Sequence, residues 1–220
     1  MQARYRSDYA GEFVVVETRW SGGKKNQTRE WVPNPIENHH ISGRAACVGS
    51  VFDADKFDHT RLQRHRGGLL GSKKLQTYGT GDIANTMRLD FAVETRLTQL
   101  QGLKDSAYTE NNIVYTTARH CIAMPGEFYL IPMSPGLLDL AILPYLAAFD
   151  GHQEIFLLGY NGETPVENTT WSQQIRQVID AYSAVQFYFV GEPTNMYDCW
   201  LEPANTRTLT HREFISYCDI

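Results

Sequence analysis

The chain has 220 residues, a formal net charge of −5 and 42% hydrophobic residues, enough length and apolar content for one domain with a substantial core. The acidic balance argues against a nucleic-acid footprint, and no run approaches the roughly 18 apolar residues of a membrane span. The first residues are too polar for a secretory leader.

Residues 1–12 read as polar and peripheral. Phe13 to Trp20 (FVVVETRW) predicts a strand, Ser21 to Asn26 a turn, and Thr28 to Val32 a returning strand. This hairpin is expected to serve as an accessory flap or an oligomer contact. Pro33 and Pro35 break regular structure as far as His40. Residues 1–40 are therefore expected to form a hairpin and loop, and residues 41–220 the main domain.

Arg44 to Ser50 (RAACVGS) predicts the first strand of an α/β body, and the small residues Gly49 and Ser50 at its end allow close approach of a ligand or helix terminus. Phe52 to His59 continues as a short helix or loop, and His65 to Gly71 as a loop. Lys74 to Tyr78 is the next strand, ended by Gly79-Thr80-Gly81-Asp82. Leu89 to Glu94 is another strand, Thr95 to Leu103 a short helix, and Ile113 to Thr117 and Glu127 to Ile131 are strand-like.

Met133 to Gly162 is the stretch around which the rest is organised. Ser134-Pro135-Gly136 punctuates it, Leu137 to Phe149 is apolar on more than one face, and Glu154 to Tyr160 is a short apolar run before Asn161-Gly162. The pattern predicts a buried helix followed by a strand covered on both faces. Pro135 suits the first helical turn, and Pro144 should kink or split the helix. Glu167 to Val185 has helical apolar spacing, Gln186 to Val190 predicts a strand ending at Gly191-Glu192, and Thr210 to Cys218 predicts a last helix capped by Thr208 or Thr210. About six strands alternating with helices imply an α/β fold: a mostly parallel sheet flanked by helices, preceded by a β-hairpin.

In a parallel sheet the strands' carboxyl ends share one edge, where ligands collect. Four ends carry glycine: Gly49-Ser50, Gly79-Thr80-Gly81-Asp82, Gly159-Tyr160-Asn161-Gly162 and Gly191-Glu192. Backbone amides there suit phosphate, and Asp82 or Asn161 suits a ribose or base, although each segment is also an ordinary loop. Ser134 and Gly136 open a helix whose free amides and positive dipole end suit an anion, and the same residues are equally a plain helix start. His39 and His40 fall in a surface loop, and His59, His65, His120 and His152 lack metal-ligand spacing. His120 precedes Cys121, a conceivable thiol–imidazole pair. His211 is a candidate general base. Asp53-Ala54-Asp55 is a weak metal candidate. Walker A, HExxH, GxSxG and CxxC patterns are missing, and the four cysteines read as reduced thiols of a cytoplasmic setting.

The run from Ser134 through the apolar helix to Glu154-Ile155-Phe156-Leu157-Leu158-Gly159-Tyr160-Asn161 resembles the second half of bacterial sialyltransferase-like proteins and their phage and uncharacterised relatives. Arg44 to Ser50, Lys74 to Asp82 and Asp90 to Val93 are similar to the strands of their nucleotide-binding half. The resemblance implies a Rossmann-like fold, metal-independent glycosyl transfer with no separate cofactor, a cytidine-monophosphate sugar donor, a glycan acceptor and a histidine base. It implies that Ser50 and the glycine ends, with Tyr160 and Asn161, bind the donor, and that Ser134 and Gly136 hold the leaving phosphate. His211 or His152 would deprotonate the acceptor. The glycine-rich turn of that family is reduced here to Gly49-Ser50-Val51-Phe52, and Tyr160-Asn161 stands where aspartate is common. The alternative is a non-catalytic structural or interaction protein on the same scaffold, with the hairpin and the aromatic tail as contact surfaces. A nucleotide-processing hydrolase ranks lower for want of a metal cluster.

Overall fold

The structure, a computed structural model, describes residues 11–33, 43–49, 57–64, 75–133, 135–160, 170–191 and 198–220. Two strands come first, β1 (Gly11–Ser21) and β2 (Lys24–Pro33), paired antiparallel as a separate ribbon. Their turn is confined to Gly22 and Gly23, at φ +57° and +77°, the left-handed conformation that a two-residue hairpin turn with the strands' own twist requires. The ribbon is thus longer than the apolar pattern suggested, because the polar segment from Lys24 to Gln27 is drawn into β2.

The body alternates strand and helix as the sequence implied. Its first half is β3 (Arg44–Val48), α1 (Thr60–Arg64), β4 (Gln76–Thr80), α2 (Gly81–Ala84), β5 (Phe91–Val93), α3 (Leu97–Asp105), α4 (Tyr108–Asn111), β6 (Ile113–Thr116), α5 (Ala118–Ala123) and β7 (Tyr129–Leu130). Its second half is α6 (Asp139–Phe149), β8 (Glu154–Leu158), α7 (Thr170–Ala181), β9 (Gln186–Val190), α8 (Asp198–Leu201), β10 (Thr206–Leu209) and α9 (His211–Cys218). Among the described residues the body has eight strands, all parallel, in the order β10-β9-β8-β3-β4-β5-β6-β7. The chain therefore builds outward from β3 to one edge, returns through α6, and builds outward again from β8.

Two apolar layers follow from this winding. Leu62, Ile83, Leu100, Leu103 and Cys121, from the first-half helices, cover one face together with Phe214 and Cys218 of α9. Residues of α6 and α7, with Trp200 of α8, cover the other. The strands are covered on both faces, which is why RAACV, EIFLL and QFYFV are almost wholly apolar. In α7 the amphipathic spacing buries Ile175, Val178 and Ile179, and Trp200 stacks on Phe189 at 5.0 Å between ring centroids.

α6 is the central buried helix expected from its composition, but it begins at Asp139, not directly after Pro135. Pro144 does not split it. Proline has no N–H to give to Leu140, four residues earlier. The Tyr160 hydroxyl supplies that donor instead, 2.8 Å from the Leu140 carbonyl.

The carboxyl-terminal helix is held at both ends. Thr210 and Glu213 form a reciprocal capping box at its start. At its other end Tyr217 and Tyr188 donate to Glu154, and Arg44 donates to the same carboxylate at 2.6 Å. Burial alone would raise the Glu154 carboxyl, but the Tyr217 and Arg44 hydrogen bonds and the adjacent guanidinium outweigh it and hold the group below its ordinary value. A depressed folded-state value means that this contribution is complete above the unfolded carboxyl's pKa of about 4.3 and disappears as pH falls through the folded value. Tyr217→Phe is expected to cost roughly 1 kcal/mol at neutral pH. The loss should shrink on acidification below about pH 4, as judged by urea midpoints. An unchanged midpoint at pH 7 would remove Tyr217 from the set of residues that hold α9.

Candidate functional site at the carboxyl edge

The glycine-marked strand ends converge. Gly191, Gly159, Gly49 and Gly81 lie at the carboxyl ends of β9, β8, β3 and β4, which are consecutive in the sheet. They span three inter-strand gaps, roughly 14 Å. The winding reverses in their midst, between β3 and β8, which is where open α/β sheets form their ligand crevice. Gly49 lies at the closest point: its N–H donates to the Leu158 carbonyl at 2.8 Å, and a Cβ there would meet the Gly159 carbonyl oxygen at 2.9 Å and the Tyr160 ring at 3.3 Å. Any larger residue would push the two strand ends apart.

The structure corrects several expectations about individual residues. Gly79 is inside β4, buried, and a Cβ on it would strike Leu89 in the core, so it cannot line the cleft. Tyr160 is 2% exposed and its hydroxyl is committed to Leu140. Gly136 is exposed, with φ +71°, and precedes α6 instead of entering it. The first turn of α6 already holds an acid, Asp139, and the Leu138 N–H before it is taken by Gln174 at 2.8 Å. His152 is fully buried near the amino edge of the sheet, where Gly43 precedes β3 and accepts from Gln153. Its Nε2 lies 3.1 Å from Gln76 Oε1 and 3.2 Å from the Tyr78 hydroxyl, which also bonds Asp150. A base there would be a strand's length away from the cleft and sealed in the core, so His152 is not the acceptor base. His211 is on the cleft side: it opens α9 directly after β10, half-buried, its ring 5.6 Å from that of Phe57. Ser50, Ser134 and Asn161, like His39, His40, Asp53 and Asp55, lie outside the described residues.

Thr80 ends β4 on the strand face shared by Gln76 and Tyr78, the face covered by α6. It is 4% exposed, and its hydroxyl has no hydrogen-bond partner among the described residues. Beside it stands a charged cluster whose members belong, by sequence pattern, to the end of a strand and the start of a helix. Glu94 is completely buried. Arg96 donates to its Oε1 through the backbone N–H at 2.7 Å and Nε at 2.9 Å, and to its Oε2 through Nη2 at 2.8 Å. The same Nη2 reaches Asp82 at 2.8 Å. The bonds to Glu94 and then to Asp82 keep the guanidinium firmly protonated. Gly81 is glycine because a Cβ would collide with the Glu94 carboxylate. Asp82, expected to face a ribose, is thus tied to Arg96.

Thr95 donates its hydroxyl to Asp139 at 2.6 Å, joining the end of β5 to the start of α6. Burial raises the Asp139 carboxyl, against the opposing effect of that hydrogen bond. Next along the edge, a cavity of about 120 Å³ is lined by Thr117, Ile131, Pro135, Gly136, Leu137 and Ile142. His120 lies near it, with Nδ1 3.3 Å from Thr116 Oγ1 and 3.4 Å from Thr117 Oγ1. Cys121 points elsewhere, its thiol facing the Phe128 carbonyl at 3.9 Å, so the thiol–imidazole pair does not form. A larger groove of about 460 Å³ opens at the opposite edge around Ser183, Gln186 and Asn205 and meets none of the glycine-marked ends.

The sequence signal for this cluster is Glu94-Thr95-Arg96, two charges immediately after a buried strand. Among the described residues no three His, Cys, Asp or Glu side chains converge as metal ligands, and no helix is long and apolar enough to cross a membrane. The fold and its edge define a doubly wound, Rossmann-like α/β protein with an N-terminal β-hairpin. No family model, no curated protein and no solved structure matches the chain.

Proposed function

We propose that the chain binds a nucleotide-sugar donor at this edge and transfers its sugar to an acceptor hydroxyl, as a sialyltransferase-like, metal-independent glycosyltransferase. One observation carries the reading: four glycine-marked strand ends are consecutive in the sheet and straddle the winding reversal. Gly159 and Gly191, both at positive φ, turn the chain at the crevice, and the Thr80 hydroxyl is a buried polar group with bonding capacity to offer. His211 is the remaining histidine of the two candidate bases. In the reaction the acceptor's O–H proton passes to His211 as the oxygen bonds the anomeric carbon. The bond from that carbon to the phosphate oxygen breaks, and its electron pair leaves on the cytidine monophosphate.

A specific observation favours a second reading, a non-catalytic interaction protein on the same scaffold. The side chains of Tyr160, His152 and Asp82 are all engaged in internal bonds.

Calorimetric titration with CMP, CDP, UDP and GDP, with and without magnesium, separates the two. Metal-independent preference for CMP is expected. Thr80→Val should weaken it about tenfold, the equivalent of about 1.4 kcal/mol, while leaving the fold intact or slightly firmer, because the buried hydroxyl it removes has no described partner. Failure of all four nucleotides to bind would leave the interaction protein as the reading.

A further inference from the structure

The β1–β2 ribbon has an exposure problem that its own structure does not solve. Each strand runs ten or more residues, about 33 Å at 3.3 Å per residue. Two strands alone are marginal in water and need further strands or a packing partner. No described element of the body packs closely against the ribbon, and it does not join the main sheet. Val15 is 45% exposed and Trp20 71%, and every residue from Thr18 to Gln27 is exposed.

Charge points to the partner. Between Thr18 and Gln27 lie Arg19, Lys24 and Lys25 and no acidic residue. The whole chain carries −5, so the rest of the molecule is more acidic than that total. The ribbon tip is therefore complementary to the body of another copy of the same chain. The two edges are not equivalent: β1 is interrupted by a bulge between Val15 and Glu17, which disfavours edge pairing, whereas β2 is regular along its paired length. In an antiparallel pairing the tip of one ribbon lies beside the root of the other. That separates the two basic tips and sends each toward the opposite acidic body.

We propose that the ribbon is a dimerisation arm: β2 of two copies pairs antiparallel across a twofold axis, making a four-stranded sheet, with each basic Trp20-bearing tip against the partner's body. The pairing is independent of the nucleotide-sugar reading.

Sedimentation velocity on the full chain across the micromolar range tests it. The wild type should sediment at twice the monomer mass, with dissociation favoured by salt, because the tip contact is electrostatic. Lys24→Glu with Lys25→Glu, and separately Trp20→Ser, should each weaken the dimer about tenfold or more. Both should leave the thermal midpoint of the body unchanged, since no described element of the body packs closely against the ribbon. A wild type that stays monomeric overturns the proposal, as does a dimer indifferent to both variants. So would a body that melts early in either variant, which would show the ribbon to be part of the core. Co-sedimentation of nucleic acid with the wild type but not the charge-reversed variant would assign the tip to another occupant and overturn it as well.

Discussion

Arg96→Ala should lower the unfolding free energy by about 3 kcal/mol, the lower end of what breaking a buried ion pair costs. Glu94 is wholly enclosed, and three of the hydrogen bonds that compensate its burial come from Arg96. The variant removes the two from the guanidinium and leaves the one from the backbone N–H. Arg96 itself is half exposed, so water can enter the vacated space, which keeps the loss below the upper end of that range. For a chain of this length the thermal midpoint should fall by roughly 6–12 °C. Arg96→Lys should recover only part of the loss, because an ammonium cannot bond both Glu94 oxygens and Asp82 in the planar geometry of a guanidinium. Glu94→Leu in the Arg96→Ala background should restore much of it by removing the stranded carboxylate. Urea denaturation followed by circular dichroism measures all four proteins. A loss under about 1 kcal/mol for Arg96→Ala would mean that the pair is an ordinary surface bridge.

Tyr160→Phe is the second large effect expected. It leaves the Leu140 carbonyl without its donor, inside a helix where Pro144 cannot replace it. The expected loss is about 1–2 kcal/mol, the lower part of the cost of an unsatisfied acceptor, because the Leu140 carbonyl is only part-buried. The rescue is specific. Pro144→Ala introduces an N–H four residues after Leu140, so it should recover most of the loss in the Tyr160→Phe background. In the wild type, where the carbonyl is already satisfied, it should bring little. The double-mutant cycle should therefore show a favourable coupling of about 1–2 kcal/mol. Additive effects would mean that the tyrosine hydroxyl and the proline are not linked through that carbonyl. The same pair explains why Tyr160, at a promising strand end, serves the scaffold and not a ligand.

The order of the main elements was readable because it rests on local pattern. The run from Leu137 to Phe149 is too apolar for any place but the interior. EIFLL and QFYFV fit strands covered on both faces, and the Thr210–Glu213 spacing marks a helix start. β10 escaped notice because TRTL is short and only half-buried, and becomes a strand by pairing with β9. The shift of β4 by two residues, from Lys74–Tyr78 to Gln76–Thr80, has a similar cause. Register with β3 and β5 decides its ends, and it carries Gly79 into the core.

At the site the division is sharper. Glycine at four strand ends was legible, and parallel strands place such ends on one edge. That these four strands would be neighbours depended on the return of the chain through α6 to the far side of β3, a choice no local pattern encodes. The fates of the polar residues were equally remote in sequence. His152 meets Gln76 across 76 positions, Tyr160 meets Leu140 across 20, and Arg96 meets Asp82 across 14. Hydrophobic periodicity and turn chemistry act between near neighbours, so the sequence by itself determined the alternating α/β class, the buried central helix and the glycine-marked ends. Which polar groups were spent on burial, and which, like the Thr80 hydroxyl, were left able to bond, was decided only in the tertiary structure, because each buried polar atom takes its partner from whatever the packed layers bring within about 3 Å.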